Sequence, residues 1–152
     1  MEITHATMPC EPPRKRARGR QIQVTIAAYR PMMSSSSEKS PAVFEALAAI
    51  SRGERPERST LREAVRALLA DVATKAPGRS VEVRIPPYGA IQCVEGPRHT
   101  RGTPPNVVEM DPITFVELAG GLRTWSEAVK DGKIHASGIR ADISHVFPIT
   151  SR

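Results

Sequence analysis

The chain is poor in the residue types from which metal and redox sites are made. Two cysteines and four histidines occur in 152 residues. The histidines, His5, His99, His135 and His145, share no ligand spacing, and neither Cys-x-x-Cys nor His-x-x-x-His is present. No metal site is expected from such a set. Cys10 and Cys93 do not make a disulfide framework, which points to a reducing, cytoplasmic setting. Cys93 sits in an apolar strand-like run, where a thiol is an inert core residue rather than a nucleophile. No run of eighteen apolar residues exists, and the basic N-terminal region lacks a following apolar stretch. Both facts argue against a spanning helix and a secretory signal. No glycine-rich phosphate loop follows a strand, because Gly120-Gly121 closes a helix, so no cofactor is expected. Aromatic residues are only 4% of the chain, with a single Trp. What core there is must therefore be aliphatic.

Charge is present in excess, and it is unevenly placed. Of the net +6, residues 1–31 carry +4, through Arg14, Lys15, Arg16, Arg18, Arg20 and Arg30 against Glu2 and Glu11. Pro9, Pro12 and Pro13 precede the basic run. Such a segment has nothing apolar to offset chain entropy, so residues 1–39 read as a disordered basic tail and residues 40–150 as one domain. Ile22, Val24 and Ile26 alternate as in an edge strand, and a start at Met32 or Met33 is the other reading of the tail. Nucleic acid is not expected as a partner, since nothing aromatic is interleaved with the basic residues to stack on bases.

The organising stretch runs from Ser80 to Met110. Val81, Val83 and Ile85 alternate with polar residues, which makes a strand with one apolar face, ended by Pro86-Pro87. Ala90 to Glu95 and Asn106 to Met110 supply two more strands. Three strands with one apolar face need a cover. Ser40-Pro41 opens a helix with Val43, Phe44, Leu47 and Ile50 on one face and a stop at Gly53. Arg52 to Ser59 reads as a linker. Thr60 and Glu63 read as a capping box for a longer helix, whose stripe is Leu61, Ala64, Val65, Leu68, Leu69, Val72 and Ala76. Asp111-Pro112 starts a third helix, and Thr124 with Glu127 caps a fourth around Trp125. Lys133 to Ser137 is a short strand with Ile134 and Ala136 on one face. A last turn carries Ile143, Val146 and Phe147.

No catalytic constellation assembles from these elements, so the chain is read as no enzyme. One loop, Glu95 to Pro105, gathers Arg98, His99 and Arg101 between glycines and prolines. Such a cluster suits a carboxylate, a phosphate or a lipid head group. The plain alternative is a solvated loop whose arginines pair with Glu95 and Glu109.

The run from Asp111 to Asp142 holds Phe115-x-x-Leu118-x-x-Gly121, Trp125-x-x-Ala128, Gly132-Lys133-Ile134 and Ser137-Gly138. Joined to Val81–Ile85, Gly89–Glu109 and the Leu61 helix, it resembles the small bacterial sterol carrier orthologues typical of actinobacteria, over about Val43 to Ile149. The resemblance implies an α+β fold in which a roughly five-stranded mixed sheet is covered by helices around an apolar cavity. The fifth strand would lie within Glu95 to Pro105 or come from splitting Gln92 to Gly96. It also implies a non-catalytic lipid-binding or lipid-transfer module for a fatty acyl or sterol-like ligand, for which transient membrane contact would be natural. The candidate lining is Leu68, Val72, Ile91, Val108, Phe115, Leu118, Trp125 and Ile134. A similar module fused to mycothiol-dependent maleylpyruvate isomerases motivates an alternative, an accessory domain that meets an anionic substrate or partner through Arg98, His99 and Arg101.

Overall fold

The computed structural model describes residues 40–96 and 105–150. The calls on the basic tail, and on Arg98, His99 and Arg101, lie outside the described residues.

Two helices lead into the sheet. Ser40 adopts an extended backbone and Pro41 takes the first helical position, so α1 (Pro41–Ser51) starts where the sequence places it, although the Ser40 side chain makes no capping bond. Its buried face is Val43, Ala46 and Ala49, and Phe44 is 58% exposed. This corrects the expected Val43-Phe44-Leu47-Ile50 face. Alanines let α1 approach its neighbours closely, and Leu47 and Ile50 are left at the half-buried edges. A β-carbon at Gly120 would overlap Leu47, so α1 touches the chain just after the third helix there.

The second helix, α2 (Arg58–Lys75), begins a turn earlier than Thr60. The Glu57 carboxylate accepts from the backbone N–H groups of Ser59 (3.2 Å) and Thr60 (3.4 Å). An acceptor here satisfies amides that have no intrahelical partner, which leaves Thr60 and Glu63 inside the helix rather than forming its capping box. Leu61, Ala64, Val65, Leu68, Leu69 and Val72 form the buried stripe as expected, whereas Ala76, expected to extend it, is the half-buried residue that caps the end of the helix.

Strands β1 (Val81–Ile85) and β2 (Gly89–Cys93) form an antiparallel hairpin, with Val81 opposite Cys93 and Ile85 opposite Gly89. The expected run to Glu95 stops at Cys93 because Val94 turns to φ 61°. Val94 leaves the sheet and donates its N–H to the Ala76 carbonyl (2.8 Å) at the end of α2. Splitting Gln92 to Gly96 therefore gives no extra strand. β3 (Val107–Met110) pairs parallel with β1, and β4 (Ile134–Ser137) pairs antiparallel with β3. Among the described residues the sheet is four-stranded and mixed, in the order β2-β1-β3-β4. The fold is α+β.

Between β3 and β4 run α3 (Pro112–Ala119) and α4 (Trp125–Lys130). Asp111 caps α3 through Ile113 and Thr114. Val81, Val83, Ile85, Val108 and Met110 point into one core with the stripe of α2 and with Phe115, Val116 and Leu118 of α3. The opposite sheet face carries Glu82, Arg84, Gln92 and His135, with Arg84 Nε 2.6 Å from Glu82. β4 places Ile134 and Ala136 on the inward face as expected, opposite Met110 and Val108, although only Ile134 is buried and Ala136 is exposed. It is an edge strand with a small side chain at that position, and no neighbour covers its far side among the described residues.

Candidate functional site

The most conspicuous hollow is formed where two stretches of chain distant in sequence, 118–126 and 142–148, meet. Leu118 comes from α3; Gly121, Arg123 and Thr124 come from the connection to α4; Trp125 and Ser126 open α4; Asp142, Ser144, Phe147 and Pro148 come from the C-terminal segment. The space they enclose is about 580 Å³ and is open to solvent on one side. That size suits a small ligand or one end of a longer one.

Each wall is fixed by local chemistry. Gly120 and Gly121 end α3, and Gly121 takes φ 69°, a conformation that a side chain disfavours. The chain can then turn straight into the Thr124 cap. Glu127 donates its N–H to Thr124 Oγ1 (3.3 Å), and its carboxylate accepts from Thr124 N–H (2.8 Å) and Oγ1 (2.7 Å). This reciprocal box is the one the sequence predicts, and those bonds from Thr124 hold the Glu127 carboxyl below its ordinary value. The box orients the first turn of α4 and therefore the Trp125 ring.

Arg123 donates from Nε to Glu117 (2.8 Å) and from Nη1 to Asp131 (2.6 Å). The hydrogen bond to Glu117 leads the causes that raise its pKa. It clamps α3 to the end of α4, and its charge is met by two carboxylates. Asp142 accepts the Ser144 N–H at 2.9 Å, which lowers its pKa and shapes the short 3-10 turn Ser144–Val146.

The third wall is a strap. Ile149 and Thr150 donate their N–H groups to the Ala119 carbonyl (2.9 and 3.0 Å), and Lys75 Nζ donates to the Pro148 carbonyl (2.7 Å). These bonds set Phe147 against Trp125, with ring centroids 5.8 Å apart and planes at 22°, and edge-on to Phe115 at 6.2 Å and 89°. Stacked and edge-to-face rings at such separations attract one another beyond their area burial. Phe115 is buried, while Trp125 and Phe147 are half-buried at the hollow.

Of the eight residues proposed from the sequence as a lining, Leu118 and Trp125 reach this hollow. Leu68, Val72, Val108, Phe115 and Ile134 are buried in the core, and Ile91 is half-buried against it. Phe147 and Pro148 were not among the eight. An apolar Phe-Pro pair close to the end of the domain was the available signal, but only the strap bonds bring it to Trp125. Cys93 is fully buried, and desolvation pushes its thiol up to about 11, which keeps it protonated at neutral pH. Among the described residues no group of His, Cys, Asp and Glu could hold a metal ion. No helix there is long and apolar enough to cross a membrane.

The loop of Arg98, His99 and Arg101 is outside the described residues, but its two ends are not. Ser80 Oγ donates to the carbonyls of Val94 (2.9 Å) and Glu95 (3.1 Å). Buried Asn106 donates from Nδ2 to the Ser80 carbonyl (2.8 Å) and accepts the Arg140 N–H on Oδ1 (3.0 Å). One polar junction thus fixes both Glu95 and Asn106.

A family model described as bacterial SCP ortholog matches residues 57–149, more than half of the chain. The match takes in α2, the whole sheet, α3, α4 and the strap residues Phe147 and Pro148. No curated protein matches the sequence.

Proposed function

Because the chain belongs to the bacterial SCP ortholog family, we propose that it is a carrier for an apolar small molecule and performs no chemistry of its own. The observation that carries this reading is the hollow at Trp125, in which Leu118, Trp125, Phe147 and Pro148 offer apolar surface beside the polar groups of Thr124, Ser126 and Ser144. A ligand with a hydrocarbon body and one polar end, such as a fatty acid, fits that mixture. Arg123 and Asp142, the charged residues lining the hollow, are engaged by Glu117, Asp131 and Ser144. That leaves them as walls and orienting groups rather than as acids or bases.

Trp125 is the single tryptophan, so intrinsic fluorescence reports on the hollow without labelling. Titration with a fluorescent fatty acid is expected to quench Trp125 saturably with energy transfer to the probe. Unlabelled fatty acid should reverse the change. A flat titration, together with no lipid released on denaturing the protein purified from its own host, would refute the proposal.

A further inference from the structure

The free edge of β4 is a surface of a different kind. Glu82 donates its N–H to the Asn106 carbonyl at 3.0 Å, so Asn106 turns its backbone groups toward β1. Backbone groups alternate in direction along a strand. Those of Val107 and Glu109 are therefore aimed at β4, where their partners are Ser137 and His135. The N–H and C=O groups of Ile134 and Ala136 are left pointing away from the sheet. Among the described residues no strand lies beyond β4, and no loop, helix or side chain takes up these groups. Residues 135–140 are all exposed. Neither proline nor an inward-pointing charge interrupts Ile134–Ser137, although both are common means of keeping an edge strand from further pairing.

The edge also carries charge of one sign. Lys133 and His135 line one shallow hollow on the outer side of the sheet, and Arg140 follows shortly after the strand. Among the described residues none of the three is in an ion pair. Of the carboxylates nearby, Asp111 is engaged as the cap of α3, and Glu109 stands on the sheet side of His135 with Arg84 as its other neighbour. The opposite edge, β2, reads Gly-Ala-Ile-Gln-Cys and has no charge.

We propose that β4 is the docking edge for an extended acidic segment of a partner protein, which adds to the sheet as a further strand. Ile134 and Ala136 bond its main chain, and acidic side chains on its outer face meet Lys133 and His135. Small apolar side chains on its inner face lie against Ala136. A second copy of this chain fits the edge less well, since antiparallel self-pairing lines up Lys133, His135 and Arg140 of both copies along one seam.

The test is fluorescence anisotropy of the full chain with a labelled, end-blocked peptide of strand length that alternates Glu and Val, and with its Lys-Val counterpart. The Glu-Val peptide is expected to bind, to slow amide exchange at Ile134 and Ala136, and to be preferred over the Lys-Val peptide. Ala136→Pro removes an outward N–H without touching the bonds to β3. It should lower Glu-Val affinity by about tenfold, the worth of one or two main-chain hydrogen bonds. K133E/R140E leaves the backbone donors in place and should transfer the preference to the Lys-Val peptide, which keeps the proposal falsifiable if Ala136→Pro does not fold. Fluorescent fatty acid uptake, which reads the hollow, should be unchanged in both variants, so docking and carrying fail separately. Absence of Glu-Val binding, equal affinity for folded Ala136→Pro, or an unchanged preference in K133E/R140E would overturn the proposal. So would a concentration-dependent dimer in analytical ultracentrifugation that Ala136→Pro dissolves, because the edge would then belong to a second copy.

Discussion

The junction at Ser80, Asn106 and Gly138 and the hollow at Trp125 are both places where distant segments converge, and they are built on opposite terms. At the junction the polar groups find partners inside the protein. Asn106 uses its side-chain donor and acceptor, and its carbonyl accepts the Glu82 N–H at 3.0 Å. Gly138, at φ 104°, lies so close to the Pro105 carbonyl and Asn106 that a side chain has no room. At the hollow, by contrast, two aromatic rings are left half-buried beside open space. A fully satisfied junction favours one geometry, and rings with an uncovered side leave room for a guest. On the carrier reading, the junction belongs to stability and the hollow to binding.

Substitutions can break that division. The largest effect is expected for Gly138→Ala, where overlap with backbone combines with an unfavourable φ, for a loss of about 3 kcal/mol or more. Asn106→Ala strips partners from buried backbone groups and should cost about 2 to 3 kcal/mol. Both are read by urea denaturation, and both should leave fatty acid affinity unchanged while the protein is folded. Phe147→Ala removes the ring that joins Phe115 to Trp125, and should cost about 2 kcal/mol and weaken ligand binding at least about tenfold. Trp125→Ala should lose affinity to a similar extent for about 1 kcal/mol, since part of its surface is already in water. If Trp125→Ala destabilised the fold as much as Gly138→Ala and left affinity intact, the hollow would be structural and the comparison wrong.

The same contrast explains what could be read in the sequence. The stripe of α2, the alternation of β1 and the Thr124–Glu127 box are local patterns, and the structure keeps them. Phe44 looked like core because periodicity ranks residues by hydrophobicity, whereas packing of α1 selected the small Ala46 and Ala49. Thr60 looked like a cap because Glu57 is a less common one. The end of β2 depends on Val94 reaching Ala76, a contact that no local pattern encodes. In the candidate site, Leu118 and Trp125 were legible from their motif. Phe147 and Pro148 were not, because their place depends on Lys75 and Ala119, which lie far back along the chain.

Acid offers the smallest and most selective probe of the two regions. Thr124 hydrogen bonds hold the Glu127 carboxyl below its ordinary 4.5, and the Ser144 N–H leads the bonds that hold Asp142 below 3.8. A depressed pKa means that the folded state favours the ionised group, so the contribution is fully present above the ordinary value and is lost as pH falls through the folded one. The hollow has both carboxylates in or behind its walls, whereas the pairs that hold Asn106 at the junction are amide and backbone groups that do not titrate. Lowering pH through the range of 4.5 to 3.8 and below should therefore weaken fatty acid binding, read by Trp125 fluorescence, before amide exchange at Glu82 and Arg140 accelerates. Thr124→Ala should cost about 1 kcal/mol as a lost helix cap. It should also flatten the acid dependence of binding, because Glu127 then has no hydroxyl to hold its pKa down. Simultaneous loosening of both regions would mean that the hollow has no separate stability and opens only when the whole domain does.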